Sequence, residues 1–171
     1  MNIRTERLGV RPPAIADFET FWRMNNDPEV KRYTGGVTAL SREAALAQHE
    51  ESCRTFDGLN PAECIFSVEE RSTGRCIGYC GFEYSERLGG IELAYGLEKG
   101  AWGRGFASEA AEAVLRYGFE ALRLDVIAAA VNPENAASER ILMKLGLHRT
   151  GQIPWPGQGL VNRYEIRRSR P

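Results

Sequence analysis

Lysine is scarce in this chain: Lys31, Lys99 and Lys144 stand against nineteen arginines. With 22 basic and 23 acidic residues the formal charge is −1, which gives no general attraction to nucleic acid or to an anionic membrane surface. Any basic site must therefore be local, and the arginine bias reads as genomic composition and not as a polybasic function. No apolar run approaches the roughly 20 residues of a membrane span, and the opening MNIRTERLGVRPP lacks the apolar core of a signal peptide. The four cysteines, Cys53, Cys64, Cys76 and Cys80, form no CxxC pair and have no histidine at metal-ligand spacing. Free thiols, no metal and a cytoplasmic location are the expectation. Repeats, low-complexity tracts and interdomain linkers are also lacking, so residues 1–171 are expected to form a single domain.

What the chain does have is a stretch from Gly100 to Ser108, GAWGRGFAS, between a strand pattern and a helix pattern. Ile91, Leu93, Tyr95 and Leu97 alternate with smaller or polar residues, as a half-buried strand requires. A helix pattern follows from Ser108 to Leu122. Gly103 and Gly105 let the chain turn between them with backbone N–H groups exposed, and a helix N-terminus adds unpaired donors and partial positive charge. This is the chemistry of an anion site, to which Arg104 would add a full charge.

In chain order, Asn2–Arg11 reads as a strand closed by Pro12 and Pro13. Asp17 is expected to cap a helix carrying Phe18, Phe21, Trp22 and Met24, which ends at Asn25–Pro28. A short helical or turn segment near Glu29–Tyr33 precedes a break at Gly35-Gly36, and Ser41 begins a second helix. Glu63–Glu69 and Gly74–Tyr84 read as an antiparallel pair turning at Arg71–Gly74. After the helix that follows the glycine turn, Asp125–Val131 is a near-continuous apolar run, as in a strand covered on both faces. Asn135 is placed to cap a helix that stops at Gly146. Two final strands, near Leu147–Thr150 and Asn162–Arg168, are expected to flank a loop from Gly151 to Gly159. The result is an α/β (α+β) fold with a mixed sheet and helices on its faces.

Three separated segments carry a resemblance: TERLGVRPP, YGLEKGAWGRGFASEA and VNPENAASERILMKLGL. Together they are similar to the GCN5-related N-acetyltransferases (GNAT), within them to the branch that acetylates the N-termini of ribosomal proteins. The resemblance implies a mixed, mostly antiparallel sheet of about seven strands, splayed between the fourth and fifth. It also implies acetyl-CoA as acetyl donor and a protein N-terminus or a small-molecule amine as acceptor; from the charge balance no direct nucleic-acid or membrane partner is expected, and the oligomeric state, monomer or homodimer, stays open. The family's Arg/Gln-x-x-Gly-x-Gly/Ala pattern falls on Trp102, Gly105 and Ala107, with tryptophan replacing the polar residue. On this reading the pyrophosphate sits on the amides of Gly103, Arg104, Gly105, Phe106, Ala107 and Ser108, the pantetheine on the backbone of Tyr95, Gly96 and Leu97, and Asn135 holds the pantetheine.

For the chemistry, Glu92 is the candidate general base; the alternative is a glutamate on a solvent face. Many family members protonate the thiolate with a tyrosine where this chain has Leu142, and Ser138 could instead hydrogen-bond the sulfur or merely assist the helix cap. The oxyanion would meet a backbone N–H near Ala94 or Tyr95. Trp22, Tyr33 and Trp155 are candidate acceptor-lining residues. His49 and His148 are expected to be structural or exposed, and Cys76 and Cys80 to share one strand face as packing residues. A coenzyme A-binding module without catalysis is the alternative, its hint being Leu142.

Overall fold

In the computed structural model, which describes residues 2–33 and 40–168, the predicted strand patterns assemble into an eight-stranded sheet. The expected first strand is two, β1 (Ile3–Arg4) and β2 (Leu8–Arg11), which pair antiparallel. That division raises the strand count above seven. β3 (Glu63–Glu70), β4 (Arg75–Ser85) and β5 (Gly90–Leu97) continue as an antiparallel meander, then β6 (Val126–Val131), β7 (His148–Trp155) and β8 (Gly159–Arg167) follow, in spatial order β1-β2-β3-β4-β5-β6-β8-β7. β5 and β6 pair in parallel, and their register consists of one pair, Glu92 with Ala128. Beyond it the strands diverge.

Three helices precede the meander: α1 (Phe18–Asn26), α2 (Pro28–Lys31) and α3 (Arg42–Thr55), the last capped by the Ser41 hydroxyl on the Ala44 amide. The predicted break at Gly35-Gly36 lies outside the described residues. α4 (Phe106–Glu120) follows β5, and α5 (Ala136–Lys144) follows β6. α1 covers the face of β4 that carries Tyr79, whose ring lies 6.4 Å from that of Phe21. α4 covers the other face, where Phe82 meets Gly118 and where Leu8, Val10, Phe66, Val114 and Ile127 are fully buried. Each such side chain removed from water contributes about 1.5–3 kcal/mol, so this layer dominates the core.

Three sequence expectations need correction. Asp17 makes no side-chain cap to α1. It is buried instead, accepting from both terminal nitrogens of Arg11 (2.8 Å each), the Ser67 hydroxyl (2.7 Å) and the Ala14 amide (2.9 Å). Burial raises its carboxyl, but those hydrogen bonds outweigh it and hold the group below its ordinary range. Cys76 and Cys80 do not share a face: Cys76 pairs with Glu69 and Gly78 with Val68, so Ile77 is an extra residue and inverts the alternation. Both thiols are buried and raised, Cys76 to about 11. Finally, Gly151–Trp155 and Gly159 are not loop. They pair within β7 and β8, leaving Pro156, Gly157 and Gln158 as the turn, and Pro154 is tolerated because β7 is the edge strand.

Candidate active site

Because β5 and β6 part after Glu92, backbone groups that a continuous sheet would pair are left facing a gap. Their direction follows from alternation. Glu98 N–H donates to Ile77 O on β4, so Gly96, Ala94 and Glu92 also point toward β4, while Leu97, Tyr95 and Leu93 point into the splay. Of the two expected oxyanion donors, the Tyr95 amide is the one so directed. The Leu97 carbonyl is taken by the Trp102 indole N–H at 2.8 Å. That bond gives the tryptophan a structural task, pinning the glycine turn to the end of β5.

A cleft of about 770 Å³ passes through this gap. On the α4 and α5 side it is bounded by Trp102, Gly103, Gly105, Phe106, Ala107 and Ser108. Gly103 and Gly105 have φ of 72° and 79°, and nothing lies within 4 Å of where a Gly103 side chain would begin. Gly105, with no side chain to cap α4, leaves the first-turn amides for a ligand. Arg104 is engaged elsewhere: it pairs with Glu70 and lies 4.4 Å from the centre of the Phe106 ring, which Arg7, paired with Glu109, also approaches at 4.7 Å. The turn can thus receive a pyrophosphate on backbone donors, with the nearby arginines already partnered by carboxylates.

Asn135 and Ser138 also border the cleft. The Asn135 Oδ1 accepts the Ser138 amide at 3.1 Å, so the predicted cap is present and the Nδ2 amide remains for a ligand. Leu142 is buried and apolar. The Ser138 hydroxyl meets the Tyr95 phenol at 2.8 Å, across the splay.

Glu92 lies on the opposite face of β5, in the half of the cleft nearer α1, and it is buried. Burial pushes its carboxyl up to about 7; contacts with Ser85 and the Ala130 backbone pull it back in part, and the facing Glu83 pushes it further up. Glu83 stands opposite in the β4–β5 register and is itself raised by its surroundings. Sequence reading missed Glu83, although the Ser85–Gly90 turn fixes the register that places it there. Tyr79 joins this group, raised to about 12 by burial and by both glutamates.

Tyr33, Trp155, Gln158 and Asn132 also line the cleft. Gln158, at the β7–β8 turn, bonds both the Tyr33 carbonyl (3.3 Å) and the Asn132 amide (3.0 Å), bridging α2 to the end of β6. Trp22 lies apart from it, lining a smaller cavity between α1 and α3 beside His49. His49 bonds the Ala14 carbonyl, and neither histidine borders the main cleft. The four free cysteines do not border it either. Among the described residues no group of His, Cys, Asp or Glu could hold a metal, and no helix is long and apolar enough to cross a membrane.

Comparison with known proteins agrees with this geometry. Residues 7–148 match the family model of the acetyltransferase (GNAT) domain. The N-acetyltransferase p20 of Bacillus licheniformis is 32% identical over 155 residues, 89% of this chain and 85% of that one. A GNAT-family acetyltransferase from Bacillus anthracis superposes with a TM-score of 0.80 at 26% identity, covering 98% of both chains. A ribosomal L7/L12 α-N-protein acetyltransferase solved with coenzyme A shares the fold at 12% identity, with a TM-score of 0.79 over 98% of both chains. The splayed β5–β6 pair, the uncapped turn at Gly103–Ser108 and the match over most of its length make this chain a member of the GNAT family, acyltransferases that draw on acetyl-CoA.

Proposed function

We propose that this enzyme acetylates a primary amine by direct attack on acetyl-CoA bound in the same cleft. The observation that carries the reading is Glu92, a buried carboxyl held at about 7 beside the gap in the sheet. At neutral pH it is part ionised and can take a proton from an ammonium. Taking it from an α-amine of pKa near 8 costs about 1.4 kcal/mol, and from a lysine-like amine near 10.4 about 4.6 kcal/mol. The site therefore favours a protein N-terminus or a small amine of low basicity. Glu83 adds acidic character suited to an acceptor with further positive charge, between the aromatic walls of Tyr33, Tyr79 and Trp155.

Acetyl-CoA is a substrate here and supplies the thioester carbonyl. The amides of Gly103, Gly105, Phe106, Ala107 and Ser108 hold its pyrophosphate, the Tyr95 backbone and Asn135 Nδ2 its pantetheine, and the Tyr95 amide the developing oxyanion. Ser138 hydrogen-bonds the departing sulfur. Direct attack is favoured over an acetyl-enzyme because the cysteines lie away from the cleft and the partner of Ser138 is a phenol, which cannot act as its base at neutral pH. Free cysteines, with Cys64, Cys76 and Cys80 buried, suit a reducing cytoplasm, where the proposal places the reaction.

Initial rates with both substrates varied test the order of events. Direct attack gives intersecting reciprocal plots and unmodified protein after exposure to acetyl-CoA alone. Parallel plots with an acetylated protein would contradict it.

A further inference from the structure

α5 presents one hydroxyl to the cleft, that of Ser138; the rest of Ala136–Lys144 holds no other hydroxyl-bearing side chain, and Leu142 is sealed in the core. A serine hydroxyl rotates freely and can aim its hydrogen at any nearby acceptor. For it to face a sulfur in the splay, something must occupy its lone pair and fix its rotor. The Tyr95 phenol, reaching from β5, lies 2.8 Å from Ser138 Oγ and 3.4 Å from the Ser138 carbonyl. We propose that Tyr95 is a positioning residue for acetyl transfer: its O–H donates to Ser138 Oγ, so that the serine hydrogen is directed at the thiolate leaving the tetrahedral adduct.

The direction of the bond follows from acidity. A phenol is a stronger acid than an alcohol, so the tyrosine is the donor of the pair, and the shorter contact to Oγ takes precedence over the carbonyl at 3.4 Å. Burial raises the Tyr95 phenol further above its ordinary value, keeping its proton in place across the working pH range. Tyr95 therefore gives up no proton. Its main-chain N–H faces the splay while its side chain holds Ser138, so one residue addresses both the oxygen and the sulfur that gain charge.

The step balances without any added reagent. The acceptor ammonium loses one proton to Glu92, and the nitrogen lone pair forms the C–N bond. The C–S bond then breaks with its pair remaining on sulfur, under the Ser138 hydroxyl. The second nitrogen proton, shed as the amide forms, passes through solvent to the thiolate, and Glu92 returns its proton to solvent.

This inference rests on the proposed role of Ser138 at the sulfur, and the test separates the two. The thiol of coenzyme A bound to the enzyme is titrated by its thiolate absorbance in wild type, Tyr95→Phe, Ser138→Ala and the double variant. The wild-type thiol is expected below the ordinary value near 8.5. Ser138→Ala raises it, Tyr95→Phe raises it by about one pH unit, and the double variant matches Ser138→Ala. In turnover, Tyr95→Phe lowers kcat about tenfold with the KM for acetyl-CoA unchanged, as expected for loss of one hydrogen bond acting at the transition state. If Ser138→Ala raises the thiol value but Tyr95→Phe leaves both it and kcat unchanged, the role of Tyr95 is overturned. If Ser138→Ala leaves the bound thiol unmoved, the role of Ser138 falls, and that of Tyr95 with it.

Discussion

Glu92→Gln should make the protein more stable above neutral pH while lowering its activity. In the unfolded chain this carboxyl has its ordinary value of 4.5, and in the fold it is raised to about 7. Between those values the folded state binds more protons than the unfolded one, so stability falls as pH rises and the full penalty stands above about 7. At 1.36 kcal/mol per pH unit the difference amounts to about 3 kcal/mol. Glutamine carries no charge to desolvate and does not repel Glu83. Urea unfolding followed by tryptophan fluorescence should therefore show the variant about equal to wild type at pH 4 and more stable by up to about 3 kcal/mol at pH 8. The wild-type rate limb near pH 7 should disappear in the variant, leaving the ionisation of the acceptor amine. A variant no more stable than wild type at pH 8, with an unchanged pH–rate profile, would refute both the raised carboxyl and its role as base.

Two further substitutions probe the frame around the site. Asp17→Asn breaks a buried pair with Arg11 and should cost about 3 kcal/mol at neutral pH by chemical denaturation. Because the Asp17 carboxyl lies below 3.8 in the fold, its contribution is complete above that value and is lost on further acidification, so the two proteins should converge at the acid end. Gly118→Ala gains about 1 kcal/mol of helix propensity but sets a methyl 2.6 Å from Phe82 and 3.1 Å from Ile127, an overpacking worth about 1–3 kcal/mol, so thermal unfolding should show a net loss.

The order of elements and the glycine turn that borders the cleft were legible because they rest on local signals. Gly103 and Gly105 mark a turn whose φ values only glycine adopts easily, Asn135 does cap α5, and the apolar run at Val126–Val131 is a strand buried on both faces. Non-local pairing was less accessible. Asp17 has a helix-cap sequence, but its partner Ser67 is fifty positions away. The Ile77 bulge, which separates Cys76 from Cys80, depends on how β3 and β4 register and leaves no periodic signature. Gly151–Trp155 has loop composition, yet as an edge strand it can carry Pro154. At the site, Glu92 could be singled out by its strand position, but its burial beside Glu83 and the contact of Tyr95 with Ser138 arise only when β4, β5 and α5 meet.

The central claim is that this cleft joins acetyl-CoA to a primary amine. Purified protein supplied with acetyl-CoA and, in turn, small primary amines and peptides with free N-termini should release coenzyme A thiol and form N-acetylated product in equal amounts, both measured in the same reaction by thiol assay and mass spectrometry. Tight binding of acetyl-CoA with neither thiol nor N-acetyl product from any of these acceptors would contradict it and would leave a coenzyme A-binding module in its place.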